Sequence, residues 1–251
     1  MPPLNRSEPV RDDLLDAEAC IDWAEAQFSI LAARIEAWQE SSPYDVVAEF
    51  DPQRGMNALK FDVRHPLPRI VSAETGAIIH MIRSSLDLLA VTLARRNGHL
   101  CPRDVCFPIT KSEKGFFAQN GGLKKIKRLS PKNIDIVKTL RPYHGGNDSL
   151  YAVHFFDIER KHRQLLRIRP ATEHWGLWGI GINAEFPEPP VFDVEHGAVL
   201  AWISADAPHH DVSFPCEVAL GQPHVFPVRP ILTALGEFAS LATSIIKLFD
   251  D

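Results

Sequence analysis

The chain has 251 residues, of which 45% are hydrophobic and 24% charged, and its formal net charge is −5. That is ordinary globular composition, and it excludes a disordered, collagen-like or disulfide-framework chain. No window approaches the ~18 uninterrupted apolar residues of a membrane helix. The start, Met1-Pro2-Pro3-Leu4-Asn5-Arg6, lacks a signal-peptide stretch, and the four cysteines lack the spacing of a structural zinc site. A reducing cytoplasm and no membrane partner are the expectations.

Residues 10–40 read as one long helix, with Leu14, Ile21, Ala24, Phe28, Leu31, Ile35 and Trp38 recurring at steps of three and four. The period then falls to two. Val46, Ala48 and Phe50 alternate, Asp51 to Gly55 turns, and Leu59, Phe61 and Val63 alternate again, which predicts a β-hairpin over 44–64. A second long helix spans 70–97, with Asn97-Gly98 at its end. The stretch 99–129 reads as loop with one short helix near Ser112–Gln119. Ser130-Pro131 pairs a capping side chain with a proline at the first helical position, so a helix starts there and runs to about Arg141. Asp148 or Ser149 caps the next helix, which runs to about Leu166.

After Pro170 come short runs rich in β-formers, at Trp175–Ile182, Val191–Val194, Ala198–Ser204 and Val212–Leu220. Pro230 opens a last helix to about 249, whose apolar stripe must return to the other helices to be buried. The expected fold class is α+β in a single domain, 10–251. Its helical core comprises 10–42, 70–98, 130–166 and 230–249, with the hairpin at 44–64 and a small antiparallel sheet inserted at 171–228.

Charge is unevenly distributed. From Arg103 to Arg169 there are 15 Lys+Arg against 6 Asp+Glu, a net +9, and the rest of the chain carries −14. Lys124, Lys125, Lys127 and Arg128 form the densest run, and Lys161 and Arg163 follow. Such a surface suits RNA or an acidic protein partner; its bland alternative is neutralisation by the acidic amino-terminal helix.

The richest chemistry lies in His154-Phe155-Phe156-Asp157-Ile158-Glu159-Arg160-Lys161-His162-Arg163. On a helix, Tyr151, Phe155, Ile158, His162 and Leu165 follow one stripe, while His154, Asp157 and Lys161 share the adjacent face. Asp157 and Lys161 form an (i, i+4) pair with the acid first. A core-facing His162 needs partners for both ring nitrogens, and Arg83 and Asp87 of the second long helix are the polar residues placed to supply them. The candidate catalytic set is therefore Asp157, His162, Tyr143, His144, Arg83 and Asp87, either as acid–base groups in a cleft or as a buried network tying two helices together. His209-His210-Asp211 offers metal-ligand types but reads as a loop, so no metal is expected. No P-loop, Gly-x-Gly-x-x-Gly or Gly-x-Ser-x-Gly occurs, which leaves any cofactor unknown. Trp175, Trp178 and Trp202 fall among the strands, where core packing is the ordinary role.

Four segments occur in a fixed order: Arg83-Ser84-Ser85-Leu86-Asp87-Leu88-Leu89-Ala90, Phe107-Pro108-Ile109, Leu140-Arg141-Pro142-Tyr143 and Asp157 to Arg163. Together they resemble a widespread group of bacterial proteins of unknown function that carry an RSxLDxLA helix, an FPI segment, an LxPY turn and a helix ending in DKHR. Arg160 departs from that pattern, which has an acidic residue there. A looser resemblance is to HEPN-like helical bundles, which implies a stress or defence context and nucleic-acid or protein binding. The ribonuclease spacing of that superfamily, Arg then His after four to six residues, falls at Arg169 and His174, across Pro170 and outside any predicted helix, so cleavage is not implied. The first functional expectation is a HEPN-like binding protein. The alternatives are a hydrolase of unfamiliar type centred on Asp157 and His162, and a structural homodimer paired through the amphipathic helices at 10–40 and 230–249.

Overall fold

The structure is a computed structural model that describes residues 11–100, 103–163, 165–166, 168–171, 184–187, 196–206, 217–222 and 224–250. A single 3-10 turn leads into α1 (Leu15–Ala26) and α2 (Phe28–Glu40). The sequence predicts one helix here. The amide of Gln27 instead divides its bond between the carbonyls of Trp23 and Ala24, at 3.3 and 3.2 Å, which ends one helix and starts the next. The apolar stripe survives this junction: Ala17, Ile21, Ala24, Leu31, Ile35 and Trp38 are all buried.

The hairpin follows as β1 (Tyr44–Asp51) and β2 (Met56–Val63), with Tyr44 opposite Val63 and Asp51 opposite Met56. Gly55 has φ +67°, a conformation glycine adopts freely in such a turn. α3 (Arg69–Arg96) is the central helix and packs against α1, α2 and the two later long helices. By length and composition it is the one described helix apolar enough to cross a bilayer, and 61% of that apolar window is buried inside the protein. Asn97 and Gly98 (φ +86°) close it as expected.

Two short helices come next, α4 (Glu113–Phe117) and α5 (Gly122–Lys125). The Ser112 hydroxyl accepts the Gly115 amide at 3.1 Å to cap α4. α5 is unexpected, because Gly121-Gly122 reads as a breaker. A Cβ at Gly121 would stand 2.0 Å from the Gly115 carbonyl oxygen, so the pair is required by close approach rather than by a loop. α6 (Pro131–Thr139) starts as predicted, the Ser130 hydroxyl accepting from the Asn133 amide. α7 (Asp148–His162) is capped by Asn147, whose side chain accepts the Leu150 amide at 3.0 Å, in place of Asp148 or Ser149. It stops at His162, short of Leu166.

The inserted strands form two sheets. β5 (Val199–Ser204) and β4 (Ala184–Glu185) extend the hairpin into a sheet of order β1-β2-β5-β4, while β3 (Ile168–Ala171), β6 (Glu217–Gln222) and β7 (Phe226–Pro230) form the second. All pairings in both are antiparallel. The strands expected at Val191–Val194 and Trp175–Ile182 lie outside the described residues, as do His174 and His209-His210-Asp211. α8 (Ile231–Lys247) returns to the bundle as its stripe requires, burying Leu235, Phe238, Ala242 and Ile245 against α1, α3 and α7. Phe238 meets Phe156 and Phe226 at ring-centroid distances of 6.4 and 5.0 Å. The α+β class is thus observed, with the β3-β6-β7 sheet joined to the helical bundle through α8.

Candidate functional site

α3 and α7 run antiparallel, and their polar residues meet in a ladder of rungs. The first rung is steric. Gly76 on α3 leaves room for the aliphatic stem of Arg160 on α7, whose Cδ would lie 2.5 Å from a Cβ placed at that glycine. One turn further along α3, His80 Nδ1 lies 3.0 Å from Asp157 Oδ1. The other carboxylate oxygen of Asp157 accepts from Lys161 Nζ at 2.7 Å, the (i, i+4) pair predicted from sequence. The carboxylate is 5% exposed, while the His80 and Lys161 side chains each remain 36% exposed.

The next rung joins Arg83 Nε to His154 Nδ1 at a long 3.5 Å. Arg83 is 5% exposed and reaches further: its Nη2 donates to the Phe107 carbonyl at 2.9 Å. Its Nη1 sits 2.7 Å from Asp87 Oδ1, an ion pair in which the N–H direction misses the oxygen, so that nitrogen has no hydrogen-bond partner. The same Asp87 oxygen accepts the Phe107 amide at 2.7 Å. Arg83 and Asp87 therefore hold both backbone groups of Phe107, and the first two motifs of the sequence resemblance form one clasp.

Burial pushes the His154 imidazole down from 6.5 to about 4, with Arg83, Lys125 and Lys161 adding positive charge nearby and Asp157 opposing them. His154 is thus neutral at pH 7. The half-buried Cys106 thiol is pushed up by burial, which keeps it protonated and makes it a poor nucleophile at neutral pH.

The residues nominated from sequence divide. Asp157, Arg83, Asp87 and Lys161 belong to this ladder. His162 does not: it is exposed at the end of α7, and both oxygens of Asp157 are engaged by His80 and Lys161. The expected partnership of Arg83 with His162 is made with His154 instead, because His154 is on the face of α7 turned to α3. Tyr143 is buried elsewhere, its hydroxyl donating to Glu113 Oε1 at 2.9 Å and accepting from Arg141 Nε at 3.2 Å. Exposed His144 has Nε2 2.9 Å from the His224 carbonyl and stands edge-on to Tyr151. Sequence reasoning missed His80. Its spacing to Arg83 and Asp87, at steps of three and four, was the available signal.

The basic residues also divide. Lys124 is exposed and donates to Asn120 at 2.9 Å. Arg128 is held by Asp104 at 2.6 Å, with Lys127 3.9 Å from the same carboxylate, and Arg163 is held by Glu159 at 2.6 Å. Neutralisation is therefore local. The contact from the acidic amino-terminal segment goes to Arg96, whose guanidinium meets the Asp13 carboxylate at 2.7 and 2.8 Å.

Comparison with family models, curated proteins and solved structures returned no match. Among the described residues, no group of three or more His, Cys, Asp and Glu side chains is placed to hold a metal ion.

Proposed function

We propose that this protein is a helical-bundle binding protein whose basic face, at α5, α7 and the middle of α3, takes the phosphate backbone of single-stranded RNA, in the stress or defence setting that the HEPN-like resemblance implies. The observation that carries the reading is that cations of three separate helices, Arg83, Lys125 and Lys161, all disfavour a charge on His154. Lys125 acts with Lys124 as the phosphate contacts. Both lie on α5, Lys124 exposed and Lys125 partly so. Lys127, Arg128, Lys161 and Arg163 contribute less, because each is already beside a carboxylate. Arg83 supports the face from beneath.

The test is fluorescence anisotropy of a labelled single-stranded RNA pool over a range of salt. Two lysine contacts give a slope of log K against log salt of about −1.4. The double variant K124E/K125E is expected to abolish most of the binding while leaving the melting temperature unchanged. Absence of binding at low salt overturns the reading.

The apolar stripes of α1, α2 and α8, on which the homodimer reading draws, are buried within the chain.

A further inference from the structure

The two histidines of the ladder are held in opposite tautomers. A carboxylate only accepts, so the 3.0 Å contact to Asp157 puts a proton on His80 Nδ1, and the neutral form of the ring then carries its lone pair on Nε2. A guanidinium only donates, so the contact from Arg83 makes His154 Nδ1 the acceptor, and the ring proton sits on Nε2. His80 precedes Arg83 by three residues and His154 precedes Asp157 by three, so the two rungs lie about one helical turn, ~4.5 Å, apart. Both rings are partly exposed. The neutral His80 ring thus offers a bare Nε2, and one rung further along the α3–α7 seam the His154 ring offers an N–H, each ring fixed by a buried partner.

We propose that this pair is a hydrolytic site for a carboxylic ester carried on an anionic molecule. His80 Nε2 removes a proton from water as the water oxygen bonds to the ester carbonyl carbon. The carbonyl π electrons move to oxygen, and the oxyanion accepts a hydrogen bond from His154 Nε2–H. The tetrahedral species then collapses, the carbon–alkoxy bond breaks, and the alkoxide takes the proton back from His80. Water is the only co-reactant, and the products are a carboxylate, an alcohol and a proton. A phosphoryl substrate is less well served, because the guanidinium fork of Arg83 is buried and directed at Phe107 and Asp87. Lys125 supplies the attraction for the anionic end, while Asp157 and Arg83 are positioning residues. The proposal stands independently of nucleic-acid binding.

Two chromogenic probes test it: the mono-4-nitrophenyl ester of succinate, which carries a carboxylate, and 4-nitrophenyl acetate, which does not. The wild type is expected to hydrolyse the succinate ester faster than free imidazole at equal concentration. H80Q is expected to lower kcat/KM by ~10²-fold or more without changing RNA affinity. H154F is expected to lower kcat, with H154Q, which keeps a donor, restoring part of it. K125Q is expected to raise KM for the succinate ester only. D157N is expected to move the His80 proton off Nδ1, a change that a purely packing role would not produce. A wild-type rate no greater than that of imidazole, or full activity in H80Q, overturns the proposal. Should H80Q fail to fold, diethyl pyrocarbonate treatment of the wild type decides: His80 must be modified in step with loss of activity, and activity surviving its modification overturns the site.

Discussion

Arg83 and Asp87 share one face of α3 with His80, yet the two ends of this polar stripe are built differently. At the Arg83–Asp87 end, a buried guanidinium and a half-exposed carboxylate are turned inward onto the amide and carbonyl of Phe107. At the His80 end, the buried group is the carboxylate of Asp157, and the groups it holds, His80 and Lys161, face partly outward. The first end fastens a loop to a helix and has little bonding capacity left. The second end fixes two side chains, His80 and Lys161, that each keep about a third of their surface in water. Polar residues on one stripe thus do not share one role. What separates them is which partner is buried and which is left at the surface.

The sharpest way to break this comparison is to remove Arg83. Arg83→Met leaves the Phe107 carbonyl and Asp87 without their partner, and its expected cost is ~3 kcal/mol in urea unfolding. If the variant is as stable as the wild type, the inward end is not a clasp.

Acid tests the outward end. The folded-state value of His154 is lowered to about 4 against 6.5 for the free side chain, so the unfolded chain binds the extra proton first. Stability is therefore full above about pH 6.5, falls as pH drops from there to about 4, and levels off below. The loss is at most ~3 kcal/mol for this group. H154Q, which cannot titrate, is expected to flatten that part of the stability profile. An unchanged slope would mean that the ring is not buried beside Arg83, Lys125 and Lys161.

Asp157→Asn keeps the shape but weakens both contacts of the buried carboxylate, with an expected cost of ~2 kcal/mol in the same unfolding measurement. The smallest effect belongs to the surface. R163Q removes an exposed pair with Glu159 and is expected to change stability by no more than ~0.5 kcal/mol. A larger loss there would show that the charge of α7 is integral to its fold.

Much of the fold was legible because its signals are local. Ser130-Pro131 states a helix start, Asn97-Gly98 states an end, and the change of period at residue 44 marks the hairpin. The α1–α2 break was not legible, since neither proline nor glycine marks Gln27. The joining of β5 to the hairpin was not legible either, because that pairing links segments more than a hundred residues apart. For the site, Asp157, Lys161, Arg83 and Asp87 could be nominated from types and spacing. The choice between His154 and His162 depended on which face of α7 turns toward α3. Periodicity placed His162 on a stripe with Ile158 and Leu165, but that side of α7 faces water: Ile158 and Leu165 are exposed as well, and the helix buries Val153, Phe156 and Asp157 instead. His80 was hidden between Ile79 and Met81, in a run that reads as core.

His80 and His154, on neighbouring rungs, carry their protons on opposite ring nitrogens, one an acceptor and the other a donor at Nε2. Long-range proton–nitrogen NMR correlation of the imidazole rings at neutral pH reads this directly. The structure predicts His80 with its proton on Nδ1 and His154 neutral with its proton on Nε2. A His80 ring protonated on Nε2 alone, or a His154 ring protonated on Nδ1, would contradict the account and leave the α3–α7 seam as a structural pin.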